Sequence, residues 1–223
     1  MGNDIILLIN KNIKHFKVIC TMVNNHKPEL GFLTKNIRKE YLFEELKLNK
    51  ITIEDIPEAL SLYASEDKNK RVYFWQLYNI LGDEPIIYLI SNFYTNVFND
   101  QAEWFKNEFV DLGSIEYHVK GQSNFWLDIM GGGQRYIGGE KMLNKKHKLV
   151  KNIMTHEGAE KWMNNMERTL KDITLTKEFE DKRIIVCIYD FVEYFMNKYA
   201  MEFDFNVFNV DVLKEKLFIK SKY

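Results

Sequence analysis

The 223 residues, 46% of them hydrophobic and 14% aromatic, suffice for one sizeable core and exclude a chain disordered throughout. Thirty-one lysines and arginines against thirty-two aspartates and glutamates leave a net charge of −1, which excludes a global field recruiting nucleic acid or an anionic membrane. Two cysteines, Cys20 and Cys187, lie far apart inside apolar runs, a pattern of buried thiols in a reducing compartment rather than of a disulfide framework or a cysteine-built metal site.

At the N-terminus, the stretch from Ile5 to Ile9 is too short for a secretory core, and no run reaches the length of a membrane span, so a cytoplasmic protein is expected. Met1-Gly2 starts like a myristoylation signal, but position 6 is Ile where the motif needs Ser or Thr. Residues 1–71 are read as an N-terminal extension of helical pieces. They include Leu42-Phe43-Glu44-Glu45-Leu46 and a capped start at Thr52-Ile53-Glu54-Asp55 with Pro57 close behind. The polar run from Ser65 to Arg71 sets a boundary, and its Asp67-Lys68-Asn69 lacks the glycine and closing glutamate of a calcium loop.

With only three prolines, and glycine concentrated between 113 and 139, long helices are the economical reading of the chain beyond this boundary. A helix over Val72 to Leu81 stops at Gly82. Asp83-Glu84-Pro85 then opens a second, with a stripe of Ile86, Leu89, Ile90, Phe93, Tyr94 and Val97. A shorter helix covers Ala102 to Phe109, and Gly113-Ser114 opens one that ends abruptly at Gly131-Gly132-Gly133. On it Tyr117, His118, Gln122, Phe125, Trp126 and Ile129 share a face that is apolar yet carries two hydrogen-bonding side chains, which suits a small ligand better than a plain core. The glycines from 131 to 139 come after a helix and lack a Gly-Lys-Ser/Thr ending, so they read as a hinge rather than a phosphate cradle.

Beyond the hinge, Lys141 to Lys148 forms a short helix bearing His147. Thr155 caps the next, whose core face is Ala159, Trp162, Met163, Met166 and Leu170. The last long helix, Glu178 to Tyr199, buries Ile184, Ile188, Phe191, Val192, Phe195 and Tyr199. Phe203 to Phe208 alternates like a short strand or an extended tail, and Leu213 to Ile219 fits a closing helix.

Several stretches fall in a specific order with nearly fixed gaps: Leu77-Tyr78-Asn79-Ile80-Leu81-Gly82, Asn92-Phe93-Tyr94-Thr95-Asn96-Val97-Phe98, Glu103-Trp104-Phe105, Met130-Gly131-Gly132, Lys146-His147 and Thr155-His156-Glu157-Gly158-Ala159-Glu160-Lys161-Trp162. Together they resemble the truncated haemoglobins, specifically the plant-type members of their second group, over residues 74–200. The resemblance implies an all-α, truncated globin-like two-over-two helical sandwich around haem b, with the globin domain at 72–200, the N-terminal helical extension at 1–71 and a C-terminal tail at 201–223.

Carried over residue by residue, it makes His147 the proximal ligand, a role a neutral imidazole fills, and Tyr94 the distal tyrosine. Phe109 takes the position that wedges the porphyrin, Trp162 that of an indole reaching the ligand, and Gln122 matches the distal helix pattern. Phe125 and Trp126 share that distal face and are expected against the cofactor. Lys146 and its neighbours are read either as a solvated face or as partners of the haem propionates, with Arg135 and Tyr136 as rivals for that role. Tyr94 and Trp162 also admit the plain reading of core aromatics.

Two departures stand out. His118 occupies a position where the family has a small residue, and it admits two roles: a further donor to bound ligand, or an internal sixth ligand to iron. The loop between His147 and Trp162 is two residues longer than usual and lacks its prolines, which leaves the register just after His147 open.

The resemblance implies tight binding of dioxygen, and of NO and CO, at a pentacoordinate iron with a polar distal pocket. Activity of the nitric oxide dioxygenase type would need an external reductase, since no flavin or nicotinamide motif is present. Two other readings stand beside it: a haem-based gas sensor signalling through the N-terminal extension, and a helical interaction module whose aromatics only fill a core.

Overall fold

The computed structural model describes residues 26–149 and 152–206, without the side chains of residues 146, 147 and 149. The expectations for Met1-Gly2, Ile5 to Ile9, Cys20 and Leu213 to Ile219 fall outside the described residues. In chain order the α-helices are α1 (Thr34–Lys47), α2 (Ile56–Leu60), α3 (Leu77–Leu81), α4 (Asp83–Phe98), α5 (Glu103–Val110), α6 (Ile115–Ile129), α7 (Gly139–Leu149), α8 (His156–Ile173) and α9 (Lys182–Phe203). Among the described residues no strand forms, and a single bridge pairs Glu29 with Gly132. No described helix is long and apolar enough to cross a membrane.

Helix α4 organises the packing because its apolar stripe is nearly continuous. Ile86, Leu89, Ile90, Phe93, Tyr94 and Val97 are all buried, as the periodicity requires. It lies against α6 on one side and α8 on the other, and α8 meets α9, which gives the expected two-over-two sandwich. Ser114 Oγ accepts from Tyr117 N–H to start α6, and Thr155 Oγ1 accepts from Gly158 N–H to start α8. Gly131 ends the distal helix for a steric reason: at φ 94°, a Cβ there would stand 2.3 Å from the Trp75 carbonyl oxygen.

Local chemistry moved several boundaries. Residues 72–81 are not one helix, because the Gln76 side chain accepts from Tyr73 N–H at 3.0 Å and closes a 3-10 turn over Phe74–Gln76 before α3. Near the C-terminus a separate 3-10 turn takes Lys177–Phe179, and α9 starts only after Asp181, whose carboxylate caps Arg183 N–H at 3.1 Å. At its far end α9 runs past Tyr199 to Phe203 and stops at Asp204 in the left-handed region. The strand option over Phe203 to Phe208 therefore fails at its first two residues, and Val207 onward lies outside the described residues.

The described part of the extension shares the core of the sandwich. Leu33, Ile37, Tyr41 and Leu42 of this segment are buried in one cluster with Phe74, Trp75 and Phe191, and Trp75 Nε1 donates to the Ala59 carbonyl at 2.8 Å. The polar run at 65–71 is laid on α9, where the Arg183 guanidinium donates to the carbonyls of Ser65, Asp67 and Lys70.

Burial works to raise the Asp181 pKa, but hydrogen bonds from Arg183 and Lys68 outweigh it and hold the carboxyl well below the usual carboxylate range. A carboxyl depressed by folding stabilises the protein above its unfolded pKa, about 4, and loses that contribution as pH falls toward the folded value. Asp181→Asn should therefore flatten the fall of melting temperature below about pH 4, measured against the parent chain.

Candidate functional site

Between the two layers lies a cavity of about 200 Å³, counted as the space open to the centre of a water molecule. Its wall draws on α4 through Phe93 and Tyr94, α5 through Phe109, α6 through His118, Gln122, Phe125 and Trp126, and α8 through Trp162. These helices converge because each turns its apolar stripe to the same centre. The ring contacts bear this out: Phe93 meets Trp162 at 4.7 Å, and Tyr94 stands edge-on to Phe109 at 6.1 Å.

Tyr94 is 4% exposed, and its hydroxyl makes no hydrogen bond among the described residues although its ring lines the cavity. Burial alone pushes the phenol pKa up, so Tyr94 stays a protonated O–H donor throughout the neutral range. The Gln122 amide and the Trp162 indole are on the same wall and half-buried. A phenol, an amide and an indole thus supply donors inside a mostly apolar chamber.

His118 is held in a way neither expected role requires. Its Nε2–H donates to the Phe109 carbonyl at 2.8 Å, and its ring stacks on Tyr94 with centroids 5.2 Å apart and planes 21° from parallel. Because a carbonyl only accepts, Nε2 carries the hydrogen and is committed to backbone. The imidazole thereby braces the phenol against α5.

Of the other expected residues, Tyr136 is buried on the wall, but Arg135 is not on it. Its guanidinium is taken by Asp83 at 3.1 Å and by the Gly132 carbonyl at 2.9 Å. The side chains of Lys146 and His147 lie outside the described residues. Position 147 comes one turn after Leu143, which lines the cavity. Tyr117, grouped with the buried distal face, is 58% exposed and reaches the wall only from the rim.

Sequence reasoning missed several residues of the wall, and four show why. Phe195 and Tyr199 read as ordinary core of the last helix, and their four-residue spacing gave no sign that they face a chamber. Ile153 and Met154 sit in the lengthened loop, which packs closely on the first turn of α8 at Gly158, while residues 150 and 151, shortly after His147, lie outside the described ones. A Cβ at Gly158 would lie 2.0 Å from the Ile153 carbonyl oxygen, so only glycine lets the loop pass so close to α8.

The model of the bacterial-like globin family matches residues 76–196, more than half of the chain and all of the sandwich from α3 to the middle of α9. The chain belongs to that family. Over 98 residues, 43% of its length and 54% of the relative's, the globin is 34% identical to two-on-two hemoglobin-3 of Arabidopsis thaliana. Over 96 residues, 42% and 55% of the two chains, it is 31% identical to group 2 truncated hemoglobin 3-1 of Lotus japonicus. It therefore spans about half the length of these relatives. The resemblance to plant-type truncated haemoglobins read from the motifs is borne out.

Proposed function

We propose that the protein is a haem-based gas-binding globin that holds haem b in this cavity and takes dioxygen, nitric oxide or carbon monoxide as ligand. The observation that carries the reading is Tyr94, a residue 4% exposed that lines an apolar chamber between the sandwich layers and whose hydroxyl has no partner among the described residues. A donor that faces the cavity in this way is available to a bound ligand. In support, Phe93, Phe109, Phe125 and Trp126 give the wall an apolar character that suits a porphyrin face, and His147, one turn along α7 from the wall residue Leu143, would be the iron ligand.

Bound there, haem would supply an iron centre able to take a diatomic gas. The chain does the rest. Tyr94, Gln122 and Trp162 would offer hydrogen to a polarised ligand that gathers negative charge, and the aromatic wall around them lowers the local dielectric. His118 holds the Tyr94 ring in place, and Phe125, Trp126 and Tyr136 form the side of the chamber toward α9 and the hinge. With an electron from a reductase supplied in trans, the finer proposal is oxidation of nitric oxide by dioxygen to nitrate, one nitrate per nitric oxide, dioxygen and electron. A cytoplasmic setting would supply such a donor.

Haem titrated into the apoprotein should give a Soret band at one equivalent, and His147→Ala should shift that band and weaken binding. A ferrous spectrum free of a six-coordinate low-spin species is expected, because iron could take His118 only through Nδ1 and the ring is held by its Nε2–H bond to Phe109 and its stack on Tyr94. Such a species that disappears in His118→Leu would restore the sixth-ligand role. Failure of the wild type to form any Soret band would sink the haem reading.

A second reading, ligand sensing through the N-terminal extension, is favoured by one specific contact. The fully buried Asp128 carboxylate accepts from Phe32 and Leu33 N–H in the extension and from Arg135 and Tyr136 N–H in the hinge, and Tyr136 lines the cavity. Amide exchange at Phe32 and Leu33 that differs between the carbon monoxide and ligand-free forms is the expected sign of sensing. Identical exchange in the two forms would remove it.

A further inference from the structure

One side of the cavity is closed by chain that lies beyond the family match. At Asp204 the backbone enters the left-handed region, φ 55° and ψ 53°, a conformation uncommon for a residue other than glycine and one that ends α9 by turning the chain back. Phe205 N–H then donates to the Ala200 carbonyl at 3.1 Å, and the Phe205 ring, partly buried against the core, lines the same cavity as Tyr94 and Trp162. The next carbonyl, that of Asn206, accepts from His156 Nδ1 at 3.2 Å.

His156 is the first residue of α8. It comes directly after the loop whose Ile153 and Met154 also line the cavity. The hydrogen bond therefore ties the tail to the α7–α8 loop and joins two pieces of cavity wall that are far apart in sequence. The tail leaves the last turn of α9 and the loop enters the first turn of α8, so the bond links the ends of two long helices.

We propose that residues 204–206 form a strap that retains haem, with Phe205 as its contact residue and the His156 to Asn206 bond as its latch. The inference rests on the haem reading above and adds to it a residue outside the globin match. A phenyl ring suits the task because a porphyrin face is apolar, and leaving the site would require the ring to move and expose both surfaces to water.

The test tracks haem transfer from the loaded full-length protein to an excess of apomyoglobin by absorbance. Phe205→Ala should release haem about tenfold faster, the factor given by losing roughly half of a buried phenyl's transfer free energy. His156→Leu, which opens the latch and leaves the ring, should speed release in the same direction by a smaller factor. Phe205→Leu should stay close to wild type, and Met201→Ala, on the exposed side of the last turn of α9 at 79% exposure, should match it.

A second readout needs no loss of haem. Chymotryptic cleavage after Phe205 should be slowed by haem addition in the wild-type chain. Release from Phe205→Ala within twofold of wild type, or slower than wild type because the ring occupies space the cofactor needs, overturns the strap while leaving the haem reading intact. A wild-type protein that takes up no haem defeats the haem reading instead, and the strap with it.

Discussion

Asp128→Ala is expected to destabilise the protein by at least about 3 kcal/mol, and so to lower its melting temperature by roughly 10 °C. The carboxylate is wholly buried, and Phe32, Leu33, Arg135 and Tyr136 direct backbone N–H groups to it at 2.9–3.2 Å. Four amides from two segments are satisfied by one side chain. A buried N–H left without an acceptor costs about 1–3 kcal/mol, and the four losses are not independent, so the sum is bounded rather than additive.

The surroundings leave no room for an easy repair. A Cβ at Gly31 would stand 2.0 Å from the Asp128 carboxylate, and Thr34 Oγ1 donates to the Asp128 carbonyl, so the extension is pressed onto this residue from both sides. Asp128→Asn should lose less than alanine, because one oxygen still accepts while the NH2 group faces donors. Denaturant unfolding of the three chains gives the comparison. An alanine variant within about 1 kcal/mol of its parent would mean that water takes the carboxylate's place and that the clamp is dispensable.

Tyr94→Phe is expected to speed dioxygen release from the haem-loaded protein by about 10- to 100-fold, with little change in fold stability. A hydrogen bond to a partner bearing charge contributes roughly 1.5–3 kcal/mol, which converts to that factor in rate. Stability should hold because the phenol oxygen has no partner among the described residues to leave stranded, while the ring contacts to Phe93, Phe109 and His118 persist. Stopped-flow release into dithionite measures the effect.

The pH dependence adds a second check. Burial raises the Tyr94 pKa, so the donor is present in full across the neutral range, and release should be flat there in the wild type. A release rate unchanged by Tyr94→Phe would transfer the donor role to Gln122 or Trp162.

His118 shows where local reading stopped short. Its place on the distal face was evident from the spacing with Gln122, yet the two expected roles both assumed a ring nitrogen turned to the chamber centre. Its actual partner, the Phe109 carbonyl, is supplied by α5 at a helix end, and no periodicity predicts which side chain caps a carbonyl from a neighbouring helix. Arg135 is a similar case. Its pairing with Asp83 joins the hinge to the first turn of α4, a contact made only once the sandwich has closed.

By itself the sequence determined the helices, their buried stripes, the break at Gly131 and the ordered motifs that mark a truncated globin, because hydrophobic period, capping residues and glycine geometry act over a few neighbouring residues. The cavity's far wall, the bracing of Tyr94 by His118, the clamp at Asp128 and the tail carrying Phe205 were decided by tertiary structure alone. Each of these joins groups from segments brought together only by burying the shared core, and a hydrogen bond or ring contact across such a distance leaves no pattern in either segment.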